Sequence, residues 1–373
     1  MRHVLWVLAL LALFVPLSTG WAQEHPPLAL GSPLPDFSLP GVDGKTYTPA
    51  NFKKAKLLVI VFTCNHCPTA QAYEQRLMDL DARYRSRGVA LVAVNPNNPQ
   101  AVSPNEMGYS DLGDSLPEMK VRARQRGFKF PYLYDGETQK FAIEMGVLAT
   151  PHVFIFDRDR KLRYQGSVDD AQEEPKVTKH SARDAIEALL ADQPVAVPTT
   201  RVFGCSTKWK EKAVHAQADV EAMDARPVEL KTPTMDELKA LMKNDSQKWC
   251  VINFWATWCA PCVAELPDFE ATRRFYANRP VEVVTISLDG PAHAAAALDL
   301  LRRDHISCDN YLAPVTDANA LAEALDPKWP GPVPYTLIVA PGGRVVYRHT
   351  GELDPVKLRE AILEQTGREF IIR

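Results

Sequence analysis

The sequence has no excess of positive charge. Its 43 Lys and Arg stand against 46 Asp and Glu, a net charge of -3 at neutral pH, which leaves no basic footprint for nucleic acid. It also lacks any long apolar run beyond Val4 to Leu17. That run is short for a bilayer span, so a membrane anchor is not expected. No cysteine follows the run, so a lipid-modified N-terminus is not indicated. Arg2 and His3 precede the run and Gly20-Trp21-Ala22 follows it, so residues 1–22 are expected to be a signal peptide. Its removal takes away Arg2 and moves the charge from -3 to -4. The remainder is expected to be soluble and exported, periplasmic or otherwise extracytoplasmic, with no stable membrane insertion after signal removal.

What is present is enough for a packed interior. Hydrophobic residues make up 46% and charged residues 24%, which excludes a disordered chain. At 373 residues the natural division is into two domains. There are seven cysteines: Cys64, Cys67, Cys205, Cys250, Cys259, Cys262 and Cys308. Outside the cytosol the ordinary reading of a cysteine is a structural bridge. That reading does not explain two Cys-x-x-Cys pairs placed alike and 195 residues apart.

Each pair follows a buried-strand pattern, Leu57–Phe62 in one case and Val251–Trp255 in the other, and each opens an amphipathic stretch that reads as helix. The first sulfur of each pair is expected at a helix N-terminus, where free N–H groups and the helix dipole favour the thiolate. The second lies one turn on, close enough to close a disulfide. This is the working part of a dithiol–disulfide exchanger.

The surrounding patterns repeat. In the first half, Gln71 to Arg87 reads as helix, with Tyr73, Leu77, Leu80 and Tyr84 on one face, and Val89–Val94 reads as a second buried strand. A long loop over 95–117, further helices and the segment Thr150–Phe156 follow, with a closing helix from Asp184 to Leu190. In the second half a helix with Pro267 inside it follows the dithiol, and Val333–Val339 answers Thr150–Phe156. Gly351 and Asp354 match Gly166 and Asp169, each pair 185 apart. The order implies an α/β fold of two tandem domains, each a central mixed β-sheet flanked by helices. The expected boundaries are 30–192 and 227–373, with 193–226 as a linker containing a helix.

On these motifs the chain resembles the thioredoxin-fold superfamily. Residues 227–373 resemble the extracytoplasmic TlpA/ResA-type oxidoreductases through Asn253–Cys262, Glu265-Leu266-Pro267 and Val333-Pro334. Residues 30–192 resemble the peroxiredoxin-like (redoxin) branch through Phe62–Pro68 and Ala149-Thr150-Pro151. No Pro-x-x-x-Thr-x-x-Cys pattern precedes Cys64 or Cys67, since Leu57 and Ile60 occupy the proline positions, so peroxidase activity is not expected. The resemblance implies that Pro151 and Pro334 are cis prolines facing the dithiols. Thr150 and Val333 would then offer their backbone to a substrate strand, with Trp258, next to Cys259, also expected to bind substrate.

The resemblance also implies roles. Cys259 attacks and Cys262 resolves. Glu265 carries the proton, the more so because Asn253 stands where thioredoxin has a buried aspartate. In the first half Cys64 and Cys67 form the dithiol, and His66 is expected to stabilise the Cys64 thiolate as His does in the DsbA motif. Ala260-Pro261 resembles thioredoxin's interior, so electrons are expected to run from the second dithiol to the first as an internal relay. Clients would be protein thiols and disulfides, with a membrane electron donor and no cofactor. Keeping haem-attachment cysteines reduced in cytochrome c maturation is one implied task. The competing class is a copper or zinc protein using Cys64, Cys67 and His66, although no metal site is expected for a relay. Cys250 and Cys308 read as buried hydrophobes. Cys205 lies outside both expected cores and reads as a third redox station or a partner's contact.

Overall fold

A computed structural model describes residues 25–368, so the signal-peptide expectation lies outside the described residues. Among these residues no helix is long and apolar enough to cross a membrane.

In the first half a small hairpin of β1 (Leu39–Pro40) and β2 (Thr46–Tyr47) precedes β3 (Leu57–Phe62), α1 (Pro68–Tyr84) and β4 (Val89–Asn95). Then come α2 (Leu116–Arg126), β5 (Tyr132–Tyr134), α3 (Lys140–Met145), β6 (Ala149–Thr150), β7 (His152–Phe156), β8 (Leu162–Gly166) and α4 (Ser181–Leu190). The strand order is β5-β4-β3-β7-β8, with β3, β4 and β5 parallel and β7 and β8 antiparallel. Every residue of β3 is buried because helices cover both faces of this central strand.

A short strand β9 (Cys205–Ser206) and a helix α5 (Ala213–Asp224) lead to the second half. There α6 (Met235–Lys243), β10 (Trp249–Trp255), α7 (Ala260–Phe275), β11 (Val281–Ser287), α8 (Ala294–Arg303), β12 (Asp309–Leu312), α9 (Ala318–Leu325), β13 (Tyr335–Val339), β14 (Val345–Thr350) and α10 (Pro355–Thr366) follow. The order β12-β11-β10-β13-β14 repeats the first sheet strand for strand. The chain is therefore α/β, two mixed sheets with flanking helices, as the internal repeat implied. Both Thr150-Pro151 and Val333-Pro334 are cis. In each sheet the central strand runs antiparallel to the strand that follows the proline, so proline and dithiol meet at one sheet end.

The region between the halves corrects one expectation. Residues 198–210 are not a free link but are built onto the first sheet. Gln165 N–H donates to the Pro198 carbonyl at 3.0 Å, Lys208 N–H donates to Asn97 Oδ1 at 2.9 Å, and the Trp209 side chain is buried in the first core. The strand β9 pairs antiparallel with β6, a pairing invisible in the sequence because neither strand exceeds two residues.

The long loop 95–117 is also packed rather than open. Its Asp111 carbonyl accepts from Arg359 Nε of α10 at 2.9 Å, and Arg279 lies 4.1 Å above the Tyr109 ring. Helix α5 touches both halves, through Ser103 to Asp219 at 2.5 Å and Arg274 to Asp224 at 2.7 Å.

Two candidate dithiol sites

The second site matches its sequence pattern closely. Cys259 is the N-cap of α7, and its sulfur accepts the Cys262 N–H at 3.3 Å. Cys259 and Cys262 are joined as a disulfide. Thr257 fixes the entering loop by donating its N–H and hydroxyl to Asp289 at 2.9 and 2.6 Å. Trp258 is 70% exposed directly beside the dithiol, whereas Cys259 is 7% exposed and Cys262 fully buried. An exposed indole next to a sulfur is an apolar landing surface for another protein.

Glu265 follows Cys262 by three residues on α7 and is buried. One carboxyl oxygen accepts from Asn253 Nδ2 at 3.0 Å and the other from the Leu353 N–H at 3.1 Å. Burial raises its pKa, and those two donors only partly oppose it, leaving it at about 7. A carboxyl poised near neutrality can both give and take a proton. Asn253 also donates to Thr336 Oγ1 at 3.2 Å, its register partner on β13.

The first site is built differently, and three expectations change. First, α1 begins at Pro68, so its N-cap is Cys67 and not Cys64. The proline fits the first helical position because the N–H it lacks has no helical partner there. Cys67 Sγ accepts the Ala70 N–H at 3.5 Å, while Cys64 sits in the preceding loop with its sulfur 3.1 Å from Thr150 Oγ1.

Second, the thiolate-stabilising groups favour Cys67. Burial raises its pKa, but the neighbouring Cys205 and Cys64 thiols, the His66 charge and the Ala70 N–H outweigh this and hold it well below the usual thiol value. Cys64 is pushed well up by burial, by its hydrogen bond to Cys67 and by the charge of Asp114. His66 therefore does not serve Cys64, as the sequence suggested, but the second sulfur.

Third, the pair is sealed from solvent. Cys64 is 2% and Cys67 0% exposed, and Thr63, which aligns with Trp258, is 6% exposed. Over the pair lies β9, whose Cys205 stands opposite Thr150 in register and packs against the cluster of Cys64, Cys67 and Ala70. Cys205 is thus part of this site rather than outside the cores.

Asp114 is the residue the sequence reading missed. Its Oδ2 lies 2.5 Å from His66 Nδ1 and accepts from Asn97 Nδ2 at 2.8 Å, and its Oδ1 accepts the Asn65 N–H at 2.7 Å and Asn95 Nδ2 at 3.2 Å. Burial would raise its pKa, but His66 and these donors bring it down to about 2. His66 is lowered by burial yet raised overall by Asp114. No motif spacing marks an aspartate 48 residues after its histidine in a long loop. The nearest sequence signal is the helix start at Ser115 one residue on.

Residues 29–186 match the family model described as Redoxin, and residues 223–348 that of the AhpC/TSA family. The thiol-disulfide oxidoreductase ResA of Oceanobacillus iheyensis is 32% identical over 112 residues, 30% of this chain and 54% of its own length. The match thus spans about half the length of that relative. The thiol:disulfide interchange protein DsbE of Yersinia pestis is 24% identical over 172 residues, 44% of this chain and 81% of its own. Among solved structures, an uncharacterized conserved protein from Geobacillus kaustophilus is 38% identical, covering 49% of this chain and 93% of that one at a TM-score of 0.44. With the repeated sheet order and both dithiols at corresponding sheet ends, the chain is a tandem of two thioredoxin-fold domains, the first matched by the Redoxin model and the second by the AhpC/TSA family model.

Proposed function

We propose that the protein is an exported thiol–disulfide oxidoreductase with two dithiols, the second exchanging electrons with protein cysteines directly and the first, sealed from solvent, reached from within the chain. The observation that carries this reading is the second site, where the Cys259–Cys262 disulfide caps a helix between an exposed Trp258 and a buried Glu265 poised near neutrality. In the reducing direction the Cys259 thiolate attacks a client disulfide and one client sulfur leaves as thiolate. Glu265 takes the Cys262 proton. The Cys262 thiolate then attacks Cys259 Sγ, which releases the second client sulfur and leaves the Cys259–Cys262 disulfide. Val333 and Pro334 would line the client strand's seat at the same sheet end.

In this reading the first dithiol is the electron acceptor of an internal relay. A Cys67 thiolate stabilised by its neighbours favours the reduced form, which makes the corresponding disulfide more oxidising. The similarity to proteins named thiol-disulfide oxidoreductase and thiol:disulfide interchange protein supports the exchange itself; an extracytoplasmic setting, a membrane electron donor and reduction of haem-attachment cysteines are further parts of the proposal. The deciding assay is insulin reduction by the full chain with dithiothreitol. Acceleration that disappears in Cys259→Ser supports the proposal, and an unchanged rate in that variant overturns it.

One observation favours a second reading for the first half. Ligand atoms of Cys64, His66 and Asp114 lie within 4.8 Å of one another, with Asp114 in the place the sequence reading gave to Cys67. Against it, both Asp114 oxygens are already occupied by donors from Asn65, Asn95 and Asn97 besides His66. Stoichiometric copper or zinc binding lost in Asp114→Asn would replace exchange by metal binding in this half.

A further inference from the structure

The first dithiol is closed to solvent, and the segment closing it carries a thiol of its own. The strand β9 lies antiparallel to β6, with Cys205 opposite Thr150 and Ser206 opposite Ala149. Thr150 precedes the cis proline, the position at which a thioredoxin fold offers its backbone to an incoming strand. Gly204 makes the close approach possible. Its φ is +141°, and a Cβ there would sit 2.1 Å from the Thr150 carbonyl oxygen.

The strand is held from both sides. Upstream, the Thr200 hydroxyl lies 2.8 Å from Tyr164 Oη and accepts the Ser167 N–H at 2.9 Å. Downstream, the Lys208 carbonyl accepts the Asn98 N–H at 2.9 Å, Lys208 pairs with Glu106, and Trp209 is buried. Between these anchors Cys205 is half-buried and packs against Cys64, Cys67 and Ala70. Cys67 Sγ lies 3.6 Å from the carbonyl oxygen of Thr150, the residue opposite Cys205, and Cys64 Sγ lies 3.1 Å from the Thr150 hydroxyl, so the three sulfurs gather around one residue.

We propose that Cys205 is a third redox-active cysteine that forms a disulfide with Cys67, and that Gly204-Cys205-Ser206 is a tethered substrate strand occupying the seat of an external client. The inference rests on the thiol–disulfide reading of the first half. Starting from a Cys64–Cys67 disulfide, the Cys205 thiolate attacks Cys67 Sγ. The Cys67–Cys205 bond forms, the Cys64–Cys67 bond breaks, and Cys64 leaves as a thiolate that takes up the proton Cys205 gave up. No electrons are gained or lost overall. The exchange carries the disulfide from the sealed pair to a half-exposed sulfur that an outside thiol can reach. Because both flanks stay anchored, the attacking sulfur keeps a high effective concentration.

The test equilibrates the full chain in glutathione buffers of stepped redox ratio, quenches with acid, alkylates free thiols with iodoacetamide and maps disulfides in unreduced peptides. The expected result is a Cys67–Cys205 cross-link beside Cys64–Cys67 in the wild type. In Cys64→Ser the Cys67–Cys205 cross-link becomes the sole disulfide of the first half, so Cys67 and Cys205 lose alkylation together. Gly204→Val should abolish that cross-link and speed alkylation of Cys64, while leaving Cys259–Cys262 intact as an internal check on folding. A Cys64–Cys67 disulfide that forms while Cys205 stays alkylated at every ratio overturns the proposal and leaves the dithiol reading standing. Oxidation of neither Cys64 nor Cys67 in a chain that still closes Cys259–Cys262 overturns both for this half.

Discussion

Cys67 caps α1 as Cys259 caps α7, although aligning the two Cys-x-x-Cys motifs pairs Cys67 with Cys262. The helix thus starts three residues later in the first motif, and its dipole acts on the other sulfur. The same sequence pattern holds its stabilised thiolate at opposite ends of the two motifs. Different behaviour is expected from the two sites.

The second site should behave as an open exchanger. Cys262→Ser is expected to hold clients as mixed disulfides on Cys259, visible as bands that a reductant removes on unreduced gels. Cys67→Ser should hold far fewer, because Cys64 is sealed beneath β9. Equal capture by both variants would contradict the difference in access.

Glu265 should give the second half a pH dependence of its own. Folding raises its pKa from 4.5 to about 7, so its contribution to stability is complete below about 4.5 and is lost as pH rises through 7. The loss is at most about 3 kcal/mol. Glu265→Gln should flatten that part of the denaturation profile between pH 4 and 8. It should also remove an inflection near pH 7 from the rate at which Cys262 resolves a mixed disulfide. An inflection that survives the substitution assigns the proton to another group.

The His66–Asp114 pair should stabilise the first half in a defined window. Asp114 titrates at about 2, below its ordinary 3.8, so its contribution is present above 3.8 and lost as pH falls through 2. His66 is raised above 6.5, so its contribution is complete below that value and is lost as pH rises through the raised one. Asp114→Asn is therefore expected to cost about 3 kcal/mol near pH 5.5, the usual penalty for orphaning a buried charge, and less near pH 9. Urea denaturation at the two pH values measures the difference. A gap that does not change with pH would mean that the pair is a neutral hydrogen bond.

The relay predicts unequal reduction potentials within one chain. The first dithiol should be the more oxidising by at least ~30 mV, about 1.4 kcal/mol for two electrons. Glutathione titrations of Cys259→Ser/Cys262→Ser and of Cys64→Ser/Cys67→Ser isolate the two values. Equal potentials would remove the driving force.

Much of the fold was legible because it rests on local rules. The apolar run Leu57–Phe62 forms a central strand from end to end, and the downstream X-Pro-strand segments recur in both halves as read. Glu265 was legible from its place on the helix after the dithiol, but its pKa near neutrality comes from burial in the packed fold, partly opposed by Leu353, 88 residues away, and by Asn253. Asp114 escaped notice because nothing in a loop of Asn, Pro and Ser shows which aspartate will turn inward.

By itself the sequence determined two sheet-and-helix units and a dithiol at the end of each central strand, since hydrophobic periodicity and helix starts act over a few residues, while the proline opposite each was implied by the family resemblance. Only the tertiary structure decided which sulfur of the first pair is favoured as thiolate and that the pair lies under a strand carrying Cys205. Both depend on contacts between segments far apart in the chain, Cys67 with Cys205 and His66 with Asp114. Burial and charge at such contacts are set by packing, and spacing along the sequence carries no record of it.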